Sequence, residues 1–176
     1  MGNLIDPQKL FIVEYPDPRL RAKCAPVEVF DDALAAVADR MLELMKEAPG
    51  IGLAAPQVGL AIRLFVCNPR GEEGAQRVVV NPELSDPDGV SEAEEGCLSL
   101  PEVLVPMRRA ERITLQAQDA KGQPFKVRGA EIEARVWQHE ADHLDGRLII
   151  DSMSEAVAIQ NRRILKQLRQ AYKASA

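Results

Sequence analysis

Two histidines are all that this chain contains, and they stand four residues apart in Gln138-His139-Glu140-Ala141-Asp142-His143. On an α-helix that spacing stacks both rings on one face, one turn above the other. The segment from Ala130 to Leu144 has the periodicity of such a helix. Ile132, Val136, His139 and His143 recur at i, i+4, i+7 and i+11, so an inward-facing apolar stripe runs into the histidines. Two imidazoles on a buried face with a carboxylate between them form the H-E-x-x-H arrangement, in which the histidines hold a metal and the glutamate moves protons. The competing reading is two buried histidines bonded to backbone carbonyls. A helix of the first kind has to be central, because its metal-facing side needs enclosure by the rest of the chain.

A metal site also needs a third protein ligand, and a catalytic one leaves a position for water. Glu155 lies twelve residues past His143 but fits a helix start better than a ligand. The stronger candidate is Cys97, in Glu95-Gly96-Cys97-Leu98-Ser99-Leu100-Pro101. The glycine before it and the apolar run ending at Pro101 place it on an extended segment or edge strand. A thiolate is a strong ligand for zinc or ferrous iron, whereas a lone cysteine with no such role is inert packing.

At 176 residues and 46% hydrophobic composition, the chain is long enough for one domain with a real core. The three cysteines, Cys24, Cys67 and Cys97, are an odd number without paired spacing, as expected for free thiols in a reducing compartment. No apolar run approaches membrane-spanning length, and no basic-then-apolar leader opens the chain, so the expected location is the cytoplasm. Four prolines before Phe30 make an extended arm rather than a regular element. Asp31 to Glu47 is an amphipathic helix with Asp31 or Asp32 as its cap and Leu34, Val37, Met41 and Leu44 as its buried stripe. Pro49-Gly50 stops it.

Gly50-Ile51-Gly52-Leu53-Ala54-Ala55-Pro56-Gln57-Val58-Gly59 then offers a backbone that another chain or a ligand can approach closely, or else a tight packed turn. It lacks the G-K-[ST] of a phosphate loop, and it follows a helix where a dinucleotide fingerprint follows a strand. Leu60–Cys67, Val78–Val80 and Ile113–Ala117 read as short strands, with turns at Asn68-Pro69, Asn81-Pro82 and Asp119–Gly122. A hairpin through Phe125–Val127 leads into the histidine helix. Leu148–Ile150 reads as a last strand, and Ser152-Met153-Ser154-Glu155 as a capping box opening a terminal helix. The expected class is α+β: short antiparallel sheets around a central metal-binding helix, with an N-terminal amphipathic helix and a C-terminal helix, all in one domain over residues 1–176.

The three stretches Gly50–Gln57, Glu95–Ser99 and Gln138–His143 resemble the three signature motifs of the peptide deformylases, in that family's order, and the likeness extends over nearly the whole chain. It implies hydrolytic removal of the N-formyl group from nascent peptides that begin with formyl-methionine, with release of formate. It implies a divalent metal held by Cys97, His139 and His143, ferrous iron in preference to zinc, nickel or cobalt. Glu140 would act as general base and acid, with the Gln57 side-chain amide and the Leu98 backbone N–H as donors to the developing oxyanion. An extended peptide would pair with backbone at Ile51, Gly52 and Gly96. Ile132 and Val136 are proposed as walls of the methionine pocket, with ordinary core packing as their alternative role.

Two rival functions remain open at this point. A zincin-type metallopeptidase would need a downstream carboxylate ligand, and a structural zinc module would need a fourth Cys or His. From Ser154 onward five basic residues, Arg162, Arg163, Lys166, Arg169 and Lys173, face Glu155 as the single acid, although the whole chain carries −5. Such a basic helix is either a solvated face or a docking surface for an anionic partner. The resemblance favours the ribosome as that partner.

Overall fold

The computed structural model describes residues 6–175. Its centre is an antiparallel five-stranded sheet in the order β1 (Gly52–Ala54), β2 (Leu64–Cys67), β3 (Arg77–Asp88), β6 (Arg112–Gln118) and β7 (Pro124–Ala130). A separate two-stranded hairpin joins β4 (Ser91–Cys97) to β5 (Leu100–Arg109). The α+β expectation holds, with helices α1 (Asp32–Glu47), α2 (Glu131–Leu144) and α3 (Glu155–Ser175) packed around these sheets.

The run Leu64-Phe65-Val66-Cys67 is apolar at every position because β2 is covered on both faces. Its side chains alternate between two cores. Leu64 and Val66 join Leu34, Val37, Met41 and Leu44 of α1. Phe65 and Cys67 join Ala134, Val136, Trp137 and Leu144 of α2, together with Ile113 and Leu115 of β6. The sheet is thus the middle layer between two helices. Asp31 caps α1, its carboxylate accepting from the Leu34 N–H at 2.9 Å. Helix α2 lies flat on the sheet because Gly129 of β7 has no side chain: a Cβ there would overlap the Trp137 ring.

A third core seats the hairpin. Leu100, Val103, Val105 and Met107 of β5 pack with Val13 and Leu20 of the N-terminal arm, with Leu148 and Ile149, and with Leu165 of α3. The arm ties the site-bearing segments together. The Val13 N–H donates to Gln57 O at 2.8 Å, Tyr15 N–H to Ser99 O at 2.9 Å and Cys24 N–H to Leu144 O at 3.0 Å.

Several sequence expectations need correction. The arm contains two short 3-10 turns, Pro7–Lys9 and Pro18–Arg21, each capped by the aspartate before its proline. The strand expected at Leu60–Cys67 begins only at Leu64, since the preceding residues bond to Ala25 of the arm. Asn81-Pro82 is no turn but a bulge inside a long β3. Asn81 takes φ +52°, and its side chain bonds Val27 N and O and Gln118 Oε1 at 2.8–2.9 Å. Leu148–Ile150 is not a strand: Ile149–Ser152 form a 3-10 turn, closed by Asp151 accepting from the Leu148 N–H at 2.9 Å. The cap of α3 is Ser154, two residues later than expected, with Oγ accepting from the Val157 N–H at 3.3 Å. Ile132 is no part of the inward stripe. It is 38% exposed, because the first turn of α2 overhangs a cleft rather than the sheet.

Candidate metal centre and active site

Helix α2 carries His139 and His143 one turn apart, with ring centroids at 5.0 Å and planes at 74°. The end of β4 brings Cys97 against them, with its Sγ 3.3 Å from His143 Nε2. One ligand atom from each of Cys97, His139 and His143 lies within 4.8 Å of the others. These are three soft or borderline donors, two of them, Cys97 and His139, lining a cleft, and the set would suit zinc or ferrous iron. Glu155, the carboxylate a zincin would need, is not in this group, and no fourth Cys or His joins it among the described residues. The residues therefore fit a three-ligand catalytic metal.

The cleft has a volume of about 480 Å³. Ile51, Gly52, Gly96, Ile132 and Val136, the residues expected to touch a peptide, all line it. So do Gln57, Leu98, Cys97, His139 and Glu140. Gln57 is buried and its amide is fixed at both ends. Its Oε1 accepts from the Ala54 N–H at 2.8 Å, which leaves Nε2 to point at Ser99 Oγ (3.2 Å) and Cys97 Sγ (3.5 Å). That constraint makes it a donor aimed at the metal cluster. Strands β1 and β4 are both sheet edges and both reach the cleft, so an extended chain can lie between them and pair with open backbone.

Residues around the cluster that sequence reasoning did not single out make up its support. Glu95 Oε2 lies 2.9 Å from His139 Nδ1, an arrangement that puts the proton on Nδ1 and turns the Nε2 lone pair toward the cluster. Arg109 grips Glu95 through Nε at 3.0 Å and Nη2 at 2.9 Å, and reaches Asp142 at 2.5 Å. Arg135 adds 2.7 Å to Glu95 Oε1 and 3.0 Å to both Ser91 O and Ser91 Oγ, which clips the start of β4 to α2. Burial alone would raise the Glu95 pKa, but the hydrogen bonds and charges of His139 and Arg109 outweigh it and hold the carboxylate well below its usual range. The sequence held a faint signal: Asp142 sits inside the histidine motif and Glu95 two residues before Cys97. Nothing local pointed to Arg109 or Arg135.

Glu140 is the opposite case. Burial pushes its pKa up to about 7, offset only in part by His139, and its Oε2 has no hydrogen-bond partner among the described residues. His143 is held below its ordinary value, first by burial and then by the charges of His139 and Arg109, which keeps it neutral as a ligand must be. Burial works the same way on His139, but Cys97 and Glu95 outweigh it and raise the pKa, so a metal displaces a proton on binding.

The model of the polypeptide deformylase family matches residues 9–158. The chain belongs to that family. A peptide deformylase of Alkalilimnicola ehrlichii is 46% identical over 161 residues, covering 90% of each chain. The crystal structure of a peptide deformylase from Legionella pneumophila is 40% identical with a TM-score of 0.86, over 92% of this chain and 96% of that one. Arabidopsis thaliana peptide deformylase 1B, solved with an inhibitor, is 39% identical with a TM-score of 0.89, over 95% and 94% of the two chains. This peptide deformylase family member is thus an enzyme, a metal-dependent hydrolase with a Cys/His/His metal-binding group. Among the described residues no helix is long and apolar enough to cross a membrane.

Proposed function

We propose that the enzyme hydrolyses the formyl group from formyl-methionyl N-termini of nascent peptides in the cytoplasm, releasing formate, with residues 1–176 acting as one catalytic domain. The observation that carries this reading is the convergence on one cleft of the Cys97, His139 and His143 ligand atoms, the buried Glu140 carboxylate and the oriented Gln57 amide. Cys97, His139 and His143 would hold the metal, which when bound supplies Lewis-acid activation of water. Glu140 takes the proton from the attacking water and hands it to the departing amine, a task for which a carboxyl pKa near 7 is suited. Gln57 Nε2 and the Leu98 N–H donate to the oxygen that becomes negative as water adds to the formyl carbon. The peptide beyond the formyl group pairs with backbone at Ile51, Gly52 and Gly96, a mode indifferent to sequence. Ile132 and Val136, seven and three residues before His139, wall the pocket for the methionine side chain.

Ferrous iron is proposed as the native ion, with zinc, nickel and cobalt accepted by the same donors. Helix α3 packs on β5 through Leu165 and through Asn161, which donates to Leu104 O at 3.3 Å. Arg162, Arg163, Lys166 and Lys173 remain exposed on its outer side, and these are proposed to contact ribosomal RNA.

The test is formate release from formyl-Met-Ala-Ser by protein prepared without oxygen, alongside metal analysis of Cys97→Ser. Turnover by the wild type and loss of metal from the variant are expected. A metal-loaded wild type that releases no formate overturns the reading. If iron is native, activity decays in air and survives when nickel or cobalt replaces it.

A further inference from the structure

The carboxylate of Glu140 rests against a position at which the chain carries no side chain. A Cβ built on Gly52 would overlap Glu140 Oε1 and come within 2.8 Å of Glu140 Cδ and 3.1 Å of Cγ. Cβ contacts under 3.0 Å essentially do not occur, and the first two fall below that distance, so a side chain at position 52 displaces the carboxyl group. Gly52 does not take a positive φ, and its backbone would accept an alanine without strain. A peptide pairing with its main chain has no need of a glycine either. The three heavy atoms nearest to such a Cβ all belong to Glu140, so the acid accounts for the glycine at this point of β1.

The acid has little room to withdraw. Gly52 pairs across the sheet with Cys67 of β2. Cys67 is itself fully buried, so the carboxylate that rests on Gly52 lies against a packed β1–β2 pair. Trp137, one turn before Glu140 on α2, is buried as well. On the remaining side lies the cleft, where the metal ligands and substrate meet.

We propose that Gly52 is a positioning residue for proton transfer: its missing side chain is the seat that holds the Glu140 carboxylate at the edge of the cleft. A methyl group at 52 drives the carboxylate out of that seat and toward the reacting atoms, where it is misaligned. This rests on the reading of Glu140 as the proton carrier.

A double-mutant cycle tests it on metal-loaded enzyme. Gly52→Ala should lower kcat about 100-fold, as misplacement by an ångström does, with KM for formyl-Met-Ala-Ser within about threefold and metal content unchanged. In the Glu140→Asp background, whose carboxylate is one methylene shorter, the same glycine substitution should cost less than about threefold. Thermal unfolding supplies a readout independent of turnover. Gly52→Ala should lower Tm by about 4 °C when Glu140 is present and by less than about 1 °C in the Glu140→Ala background. Equal losses in both backgrounds, or unchanged kcat in Gly52→Ala, overturn the assignment. A wild type that releases no formate overturns the deformylase reading instead, so the two failures are told apart.

Discussion

Glu95 and Glu140 are hidden to nearly the same degree, 6% and 3% exposed, and both stand beside His139. The fold treats them in opposite ways. The hairpin side of the site surrounds Glu95 with two guanidinium groups and an imidazole N–H, so the ionised form is favoured despite burial. The sheet side leaves one oxygen of Glu140 without a hydrogen-bond partner among the described residues, and burial raises its pKa to about 7. The first arrangement makes a rigid support that never changes protonation. The second makes a group whose proton comes and goes near pH 7. The same side chain becomes scaffold or reagent according to the partners that tertiary structure brings to it.

The largest expected effect breaks the reagent side. Glu140→Gln should reduce kcat by about a thousandfold, the scale of a lost general base, while retaining metal and a Tm equal to or above the wild type. Loss of metal from this variant would make Glu140 a ligand and dissolve the contrast. Next comes the scaffold side. Glu95→Ala strips Arg135 of its charged partner and leaves the buried Arg109 with Asp142 alone, and should cost about 3–5 kcal/mol of stability in urea unfolding. Metal affinity should fall about 10–100-fold as His139 loses its orienting acceptor. A variant with wild-type unfolding would show that the two arginines find other partners.

A finer cut separates the two arginines. Arg135→Met removes one charged contact while Arg109 keeps its bidentate hold on Glu95, so about 1–3 kcal/mol is expected, with metal content preserved in direct analysis. A loss as large as that of Glu95→Ala would make Arg135 the principal support. The smallest effect belongs to α3, remote from both acids. Reversing Arg162, Arg163 and Lys166 to glutamate should change stability by less than about 0.5 kcal/mol and leave hydrolysis of a free formyl-peptide alone. Ribosome co-sedimentation should weaken, and its salt dependence should flatten. Deleting the helix from residue 160 is the poorer test, because Asn161 and Leu165 are packed against the body.

Regularity decided how far the chain could be read before its structure was known. The 3.6-residue period of α1 and α2 survives without context, and the Asp31 cap and the hairpin turn at Asp119 follow from side-chain chemistry a few residues away. Strand β5 was hidden because Pro101 and Pro106 interrupt its pattern, and Glu102, at φ +63°, breaks the alternation between Leu100 and Val103. Prolines are tolerated there because β5 pairs on one side only.

The sequence by itself determined which atoms could bind a metal. Two histidines at helical spacing, an intervening glutamate and a cysteine after a glycine are local facts, and the three motifs carried the family with them. Tertiary structure alone decided what those atoms could do. That Cys97 meets His143, that Arg109 and Arg135 neutralise Glu95, and that Gly52 makes room for Glu140 depend on contacts between residues 14 to 88 positions apart. Spacing along a chain fixes a helix face through bond geometry. It carries no information about which distant group desolvates or pairs a carboxylate, and that choice separates the scaffold acid from the reagent acid.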